Sequence, residues 1–171
     1  EFLPQSGATV LFDAGTTTAR VAALVPPDRE LLVVTNSVPI AARLAGLTSI
    51  SLQLLGGRVR GLTQSTIGEQ AVKALNSLRV DIAFIGSNGI TVRHGLSTPD
   101  PGEAAVKRAM VECANFVVVV ADSSKIGREE FVSFAPIDRV DVLVTDSEIT
   151  AENRSCLTEQ GLDVVVAQAP S

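Results

Sequence analysis

Tryptophan and tyrosine are absent from the chain, and aromatic residues make up only 4% of it, all of them phenylalanine. Without aromatic platforms, recognition of bases or sugar rings by stacking is poorly equipped. One histidine, His94, cannot build a His cluster, which argues against zinc hydrolase chemistry. The two cysteines, Cys113 and Cys156, have neither CxxC nor metal-ligand spacing, so both are expected to be small buried hydrophobes in a reducing compartment. Basic residues are the minority, 14 Lys+Arg against 19 Asp+Glu, and the net charge is -5. A direct nucleic-acid binder would carry the opposite balance. No apolar run approaches the roughly 20 residues of a membrane span, and residues 1–12 lack the layout of a signal peptide. No metal, cofactor or membrane partner is expected, and a cytoplasmic location is.

What is present is a core-forming chain. It has 171 residues, 46% hydrophobic and 19% charged, which suits one domain over 1–171. Short apolar runs at 8–12, 31–35, 50–55, 82–86, 116–121, 142–145 and 164–167 read as strands. Several are continuously apolar, as strands buried on both faces are. Amphipathic stretches at 17–25, 39–45, 64–76, 103–113 and 151–159 read as helices. The alternation predicts an α/β fold, a mostly parallel sheet flanked by helices. Two polar segments, 56–67 and 87–102, follow strands and read as long functional loops. Ligands of open α/β sheets bind beyond the carboxyl ends of the strands, where both segments start.

Three groups of residues stand at such ends. After the first strand, Gly15 permits a tight turn and Thr16, Thr17 and Thr18 begin a helix. That arrangement is either ordinary threonine capping or an anion site of hydroxyls and free N–H groups. It is neither a Walker A loop nor GxGxxG, which removes the best support for ATP or NAD. After the second strand, Asn36 or Ser37 serves as a helix cap or as a ligand contact. After the fifth, Asp122, Ser123, Ser124 and Lys125 form either a capped turn or an anion partner. Glu103 and Lys107 are four apart on one helix face, a spacing that allows them simply to pair. His94 is expected to be a loop residue without a role. No nucleophile–base constellation emerges, so the residues converge on polyol-phosphate binding and not on catalysis.

The ordered motifs FDAGTTT, VVTNS, LLGGRVR, DIAFIGSNGI, STPDPGEAAVKRAM, VVVVADSSKIG and VDVLVTD, over about four fifths of the chain, carry a resemblance. The sequence resembles the C-terminal effector-binding domain of DeoR-type sugar-responsive transcriptional repressors, whose fold is like that of ribose-5-phosphate isomerase and the CoA-transferases. The resemblance implies a repressor domain that binds a phosphorylated sugar or polyol, with fructose 1-phosphate preferred, and modulates DNA binding by the full-length protein. Operator DNA would be bound only through an N-terminal helix-turn-helix domain that this chain lacks, and a homo-oligomer, dimer or tetramer, is expected. The implied ligand set is Asp13, Gly15, Thr16, Thr17, Thr18, Thr35, Asn36, Ser37, Gly57, Arg60, Asn88, Gly89, Asp100, Glu103, Lys107 and Lys125. The 87–102 segment is the expected moving element. An aldose–ketose phosphate isomerase is the alternative. Glu103 and Lys125 match that enzyme's base and lysine, but its two DGADE aspartates fall at Ile85 and Asn88, neither of which can carry charge. The likeness implies a binding site kept and a reaction lost.

Overall fold

In the computed structural model, residues 2–167 are described, and they form a seven-stranded, wholly parallel sheet in the order β12-β11-β9-β6-β1-β2-β3. β1 (Thr9–Phe12) and β2 (Leu31–Thr35) are followed by β3 (Ile50–Leu54) on one side. β6 (Val80–Ile85), β9 (Ala114–Val120), β11 (Val142–Thr145) and β12 (Asp163–Val166) fill the other. The chain thus reverses direction across the sheet between β1 and β6, and that crevice is where such sheets take ligands.

The helices pack on both faces of the sheet, as right-handed crossovers on either side of the reversal require. α1 (Thr16–Ala22) and α2 (Val38–Leu44) follow β1 and β2. The core on one face is built on Val10, Phe12, Val33, Phe84 and Val118. α3 (Glu69–Asn76), α4 (Pro101–Cys113) and α5 (Ala151–Thr158) contribute Ala71, Leu75, Met110 and Leu157 to the opposite core, against Leu11, Ala83, Val117 and Leu143. Alternate residues of the inner strands therefore serve two cores, which is why those runs read as continuously apolar. Helix starts are chemically marked. Ser37 accepts the Ile40 N–H ahead of α2, with Pro39 in its first turn. Asp100 accepts the Glu103 N–H ahead of α4, and Pro101 opens that helix.

The two segments expected as loops are paired structure. Residues 56–67 contain an antiparallel hairpin, β4 (Arg58–Arg60) with β5 (Ser65–Ile67), so the helix expected from 64 begins only at Glu69. Residues 87–102 contain β7 (Gly89–Thr91) and β8 (Gly95–Thr98), which join β10 (Val132–Ala135) in a second, three-stranded antiparallel sheet. The expected moving loop is therefore a hairpin with largely buried strands and an exposed turn at Val92 and Arg93. Ser97 and Thr98 are fully buried, and the Ser97 hydroxyl accepts the Glu130 N–H at 2.9 Å. Burial of Cys113 matches expectation, whereas Cys156 lies exposed on α5. The α5 pattern buries Leu157 alone, so its neighbour faces solvent.

Candidate functional site

A cleft of about 330 Å³ opens at the carboxyl ends of β1 and β6, at the crevice where the sheet changes direction. Eleven of the sixteen expected residues line it: Asp13, Gly15, Thr16, Thr17, Thr18, Asn36, Arg60, Asn88, Glu103, Lys107 and Lys125.

The floor is ionic. Asp13 is buried, its Oδ1 accepting the Ala14 N–H at 2.8 Å and its Oδ2 the Gly86 N–H at 3.0 Å. The Lys107 ammonium completes that carboxylate and also donates to the Gly86 carbonyl at 3.0 Å. Its charge lies 5.6 Å from the Phe134 ring centroid, in cation–π range. Lys107 thus pairs with Asp13, at the carboxyl end of β1, and not with Glu103. One ion pair ties together the ends of β1 and β6 and the middle of α4.

The wall above the floor is the β1–α1 turn. Gly15 adopts φ 150, a conformation that favours glycine. The Thr18 hydroxyl donates to the Gly15 carbonyl at 3.0 Å and is buried, while Thr16 is exposed and Thr17 half-buried. The backbone N–H groups of Thr16, Thr17 and Thr18 find no acceptor among the described residues. Asn36 braces this turn from the side: its Oδ1 accepts the Ala14 N–H at 3.1 Å and its Nδ2 donates to the Thr66 carbonyl at 3.2 Å.

The β4–β5 hairpin forms the opposite wall. Arg60 makes ion pairs with Glu103 at 3.4 Å and with Asp100 at 3.5 Å. Leu62, at the hairpin tip, is 84% exposed and lines the cleft with Thr63 and Ser65. On the third side a 3₁₀ turn, Ser123–Lys125, carries Lys125. Asp122 caps it by accepting the Ser124 N–H at 3.1 Å, and Asp146 accepts the Ser123 N–H at 2.9 Å. The Ser123 backbone and side chain and the Glu148 N–H hold the Asp146 carboxyl below the usual carboxylate range. Among the described residues, Lys125 has no carboxylate within 4.0 Å, in contrast to Arg60 and Lys107.

Five expected residues stand behind the lining. Thr35 donates its hydroxyl to the Phe12 carbonyl at 2.7 Å and accepts the Ser37 N–H at 3.0 Å, so it splices β1 to β2. Ser37 caps α2. Gly57 (φ 140) allows close approach within the hairpin, since a Cβ there would lie 2.6 Å from the Ile67 carbonyl oxygen. A Cβ at Gly89 would lie 2.6 Å from the Arg128 carbonyl oxygen. Asp100 caps α4 and holds Arg60. Of the remaining positions singled out, Ile85 is fully buried, and the Asn88 Oδ1 accepts the Thr98 hydroxyl at 3.2 Å. His94 sits in the β7–β8 turn, its ring nitrogen 2.9 Å from the Glu130 carbonyl oxygen and away from the cleft lining.

Sequence reasoning missed Thr63, Ser65, Ser87 and Pro99, which also line the cleft. No hydrophobic period marks the first two, because Ser65 is buried yet polar and Thr63 lies in the hairpin turn. Among the described residues, no group of three or more His, Cys, Asp or Glu side chains is placed to hold a metal ion, and no helix is long and apolar enough to cross a membrane.

The chain is 41% identical over 159 residues to the HTH-type transcriptional regulator GlpR of Haloferax volcanii, covering 93% of this chain and 62% of that protein. It is 31% identical over 166 residues to the HTH-type transcriptional repressor GlcR of Bacillus subtilis, covering 97% of this chain and 64% of that protein. It therefore spans less than two thirds of the length of these relatives. Among solved structures, eIF2B beta from Chaetomium thermophilum shares the fold, with a TM-score of 0.52 and 16% identity over 82% of this chain and 44% of that one. Ribose 5-phosphate isomerase A from Methanocaldococcus jannaschii gives a TM-score of 0.49 and 18% identity over 72% of this chain and 48% of that one. The family model described as the DeoR C-terminal sensor domain matches residues 3–147, and the chain belongs to that family.

Proposed function

We propose that the cleft binds a phosphorylated sugar or polyol, and that its occupancy modulates DNA binding by a cytoplasmic, full-length repressor of sugar metabolism. The observation that carries this reading is Lys125, a cation with no carboxylate partner among the described residues. It lines the same cleft as Thr16, Thr17 and Thr18, whose backbone N–H groups find no acceptor among the described residues. A phosphate monoester supplies the acceptors that this set of donors calls for. Asn36, Asn88 and Glu103 offer hydroxyl-scale hydrogen bonding on the remaining walls. The volume lies near the lower end of the roughly 300–1,000 Å³ of small-molecule sites, which suits a monosaccharide. Its relatives' names support a regulatory rather than enzymatic role, and Ile85, buried in the core, offers no proton-transfer group.

Coupling requires that the effector bind two states of the repressor unequally. Symmetric operators call for a symmetric dimer or tetramer, so we place this domain in a homo-oligomer. The test is a thermal-shift series with fructose 1-phosphate, fructose 6-phosphate, ribose 5-phosphate, glycerol 3-phosphate, free fructose and inorganic phosphate. At about 100 times its dissociation constant, a ligand stabilises its binder by roughly 2.7 kcal/mol. The expected result is a selective shift with one sugar phosphate, led by fructose 1-phosphate, and its loss in Lys125→Ala and Thr17→Val. A flat panel would sink the reading.

A further inference from the structure

Resting on that reading of the cleft, we infer that it selects ligands with one phosphate and a neutral, hydroxyl-rich remainder, and rejects bisphosphates and phosphorylated sugar acids. The charge inventory carries this. Three cations line the cleft, Arg60, Lys107 and Lys125, together with three carboxylates, Asp13, Glu103 and Asp122. Two of the cations are already spent: Lys107 on buried Asp13, and Arg60 on Glu103 and Asp100 together. Among the described lining residues, Lys125 is the cation left to meet an anion, and it stands on the 3₁₀ turn, a different wall from the hairpin.

The hairpin wall favours the opposite kind of ligand group. Arg60 with its two carboxylates carries a net negative charge. Arg60 meets Glu103 at Oε1, and Glu103 Oε2 accepts no hydrogen bond from the described residues. An ionised carboxylate is an acceptor only, so the ligand atom it faces must bring a hydrogen. A sugar hydroxyl does so. A second phosphate or a carboxylate brings only acceptors and charge of the same sign, which is penalised in a part-buried site. The Glu103 side chain is 12% exposed, so little water screens that repulsion.

The experiment compares dissociation constants by calorimetry for fructose 1-phosphate, fructose 6-phosphate and fructose 1,6-bisphosphate, and for glucose 6-phosphate against 6-phosphogluconate. The member of each set with two anionic groups should bind at least about tenfold more weakly than its best monophosphate. Asp100→Asn keeps the cap of α4, because asparagine caps as well as aspartate, and removes only the charge behind Arg60. It should narrow the gap severalfold, and Asp100→Ser should do the same. Ligands with two anionic groups that bind as tightly as the monophosphates would overturn this inference while leaving the sugar-phosphate reading intact. So would a gap unchanged in both variants. No binding of any ligand in either set would overturn the reading itself, and this inference with it.

Discussion

Lys107 and Asp13, ninety-four residues apart in sequence, form an ion pair on the cleft floor, where each side chain is less than a tenth exposed. Burying two charges is costly, and breaking such a pair leaves one of them uncompensated. Lys107→Met should therefore destabilise the fold by about 3–5 kcal/mol. Asp13→Leu should cost at least as much, since it also strands the Gly86 N–H and leaves the Ala14 N–H to Asn36 Oδ1 alone. The double variant removes both charges together and should cost less than the two single losses added. Urea denaturation of all four proteins gives the coupling directly. Losses that add to within about 0.5 kcal/mol would mean the pair does not act as a unit.

Asn36 spans two walls of the cleft through a single amide, from Ala14 to Thr66. It is buried, so a truncated side chain takes a donor from the Thr66 carbonyl and leaves the Ala14 N–H to Asp13 Oδ1 alone. Asn36→Ala is expected to cost about 1–3 kcal/mol of stability. It should also weaken binding of the sugar phosphate that wild type selects, because the β1–α1 turn and the hairpin are no longer held in register. Thermal melts with and without that ligand separate the two effects. A variant that melts early but keeps the full ligand-induced shift would leave Asn36 with a scaffold role alone.

The main sheet was legible in the sequence because most of its strands are apolar runs serving two cores. β6 and β9 begin two residues earlier than expected, at Val80 and Ala114, where the apolar run is interrupted by Asp81 and Asn115. The hairpins were not legible. Ser65, Thr66, Ser97 and Thr98 are buried yet polar, with hydroxyls spent on groups such as the Leu55 carbonyl, so no hydrophobic period marks them. The residues gathered around the cleft were recognisable by type and by their place after strands. Their pairing was not, because Lys107 and Glu103 had each other within helical reach and chose partners 94 and 43 residues away.

Gly57 and Gly89 entered the expected ligand set, but their surroundings assign them to the two hairpins. An alanine Cβ at Gly89 would press on the Arg128 backbone, which has no flexible side chain to yield. At Gly57 the same addition meets the Ile67 carbonyl, and the backbone conformation is one that L side chains rarely adopt. Both Gly→Ala variants should lose stability, by more than the roughly 1 kcal/mol of a simple glycine replacement. Differential scanning calorimetry should show lowered midpoints, with ligand affinity at low temperature kept within a few-fold of wild type. Unchanged midpoints together with lost affinity would restore these glycines to direct contact.

The two thiols should separate cleanly by reactivity. Burial pushes the Cys113 thiol up to about 11, and its Sγ donates to the Met110 carbonyl at 3.3 Å. The thiolate is the reactive form, so Cys113 is protected both by protonation and by packing. Cys156 stands exposed on α5. Labelling the native protein with a thiol-reactive chromophore at neutral pH should consume one equivalent quickly, and the second only in denaturant. Two fast equivalents would contradict the burial of Cys113 at the end of α4.

Asp146 lends the Lys125 turn a pH dependence whose sign can be worked out. Its carboxylate accepts the Ser123 N–H at the start of that turn, and the folded state lowers its pKa accordingly. A carboxyl depressed on folding contributes stability above its unfolded pKa of about 3.9, and that contribution is lost as pH falls through the lower folded value. Asp146→Asn should therefore be less stable than wild type at neutral pH, and the difference should shrink as the pH drops below about 4. Ligand binding should follow the same variant, because a loosened Ser123–Lys125 turn places its ammonium less well. Denaturation curves at several pH values between neutrality and the acid limit of folding check the first expectation. A stability difference constant across that range would show that Asp146 acts by hydrogen-bond geometry alone, without a contribution from its charge.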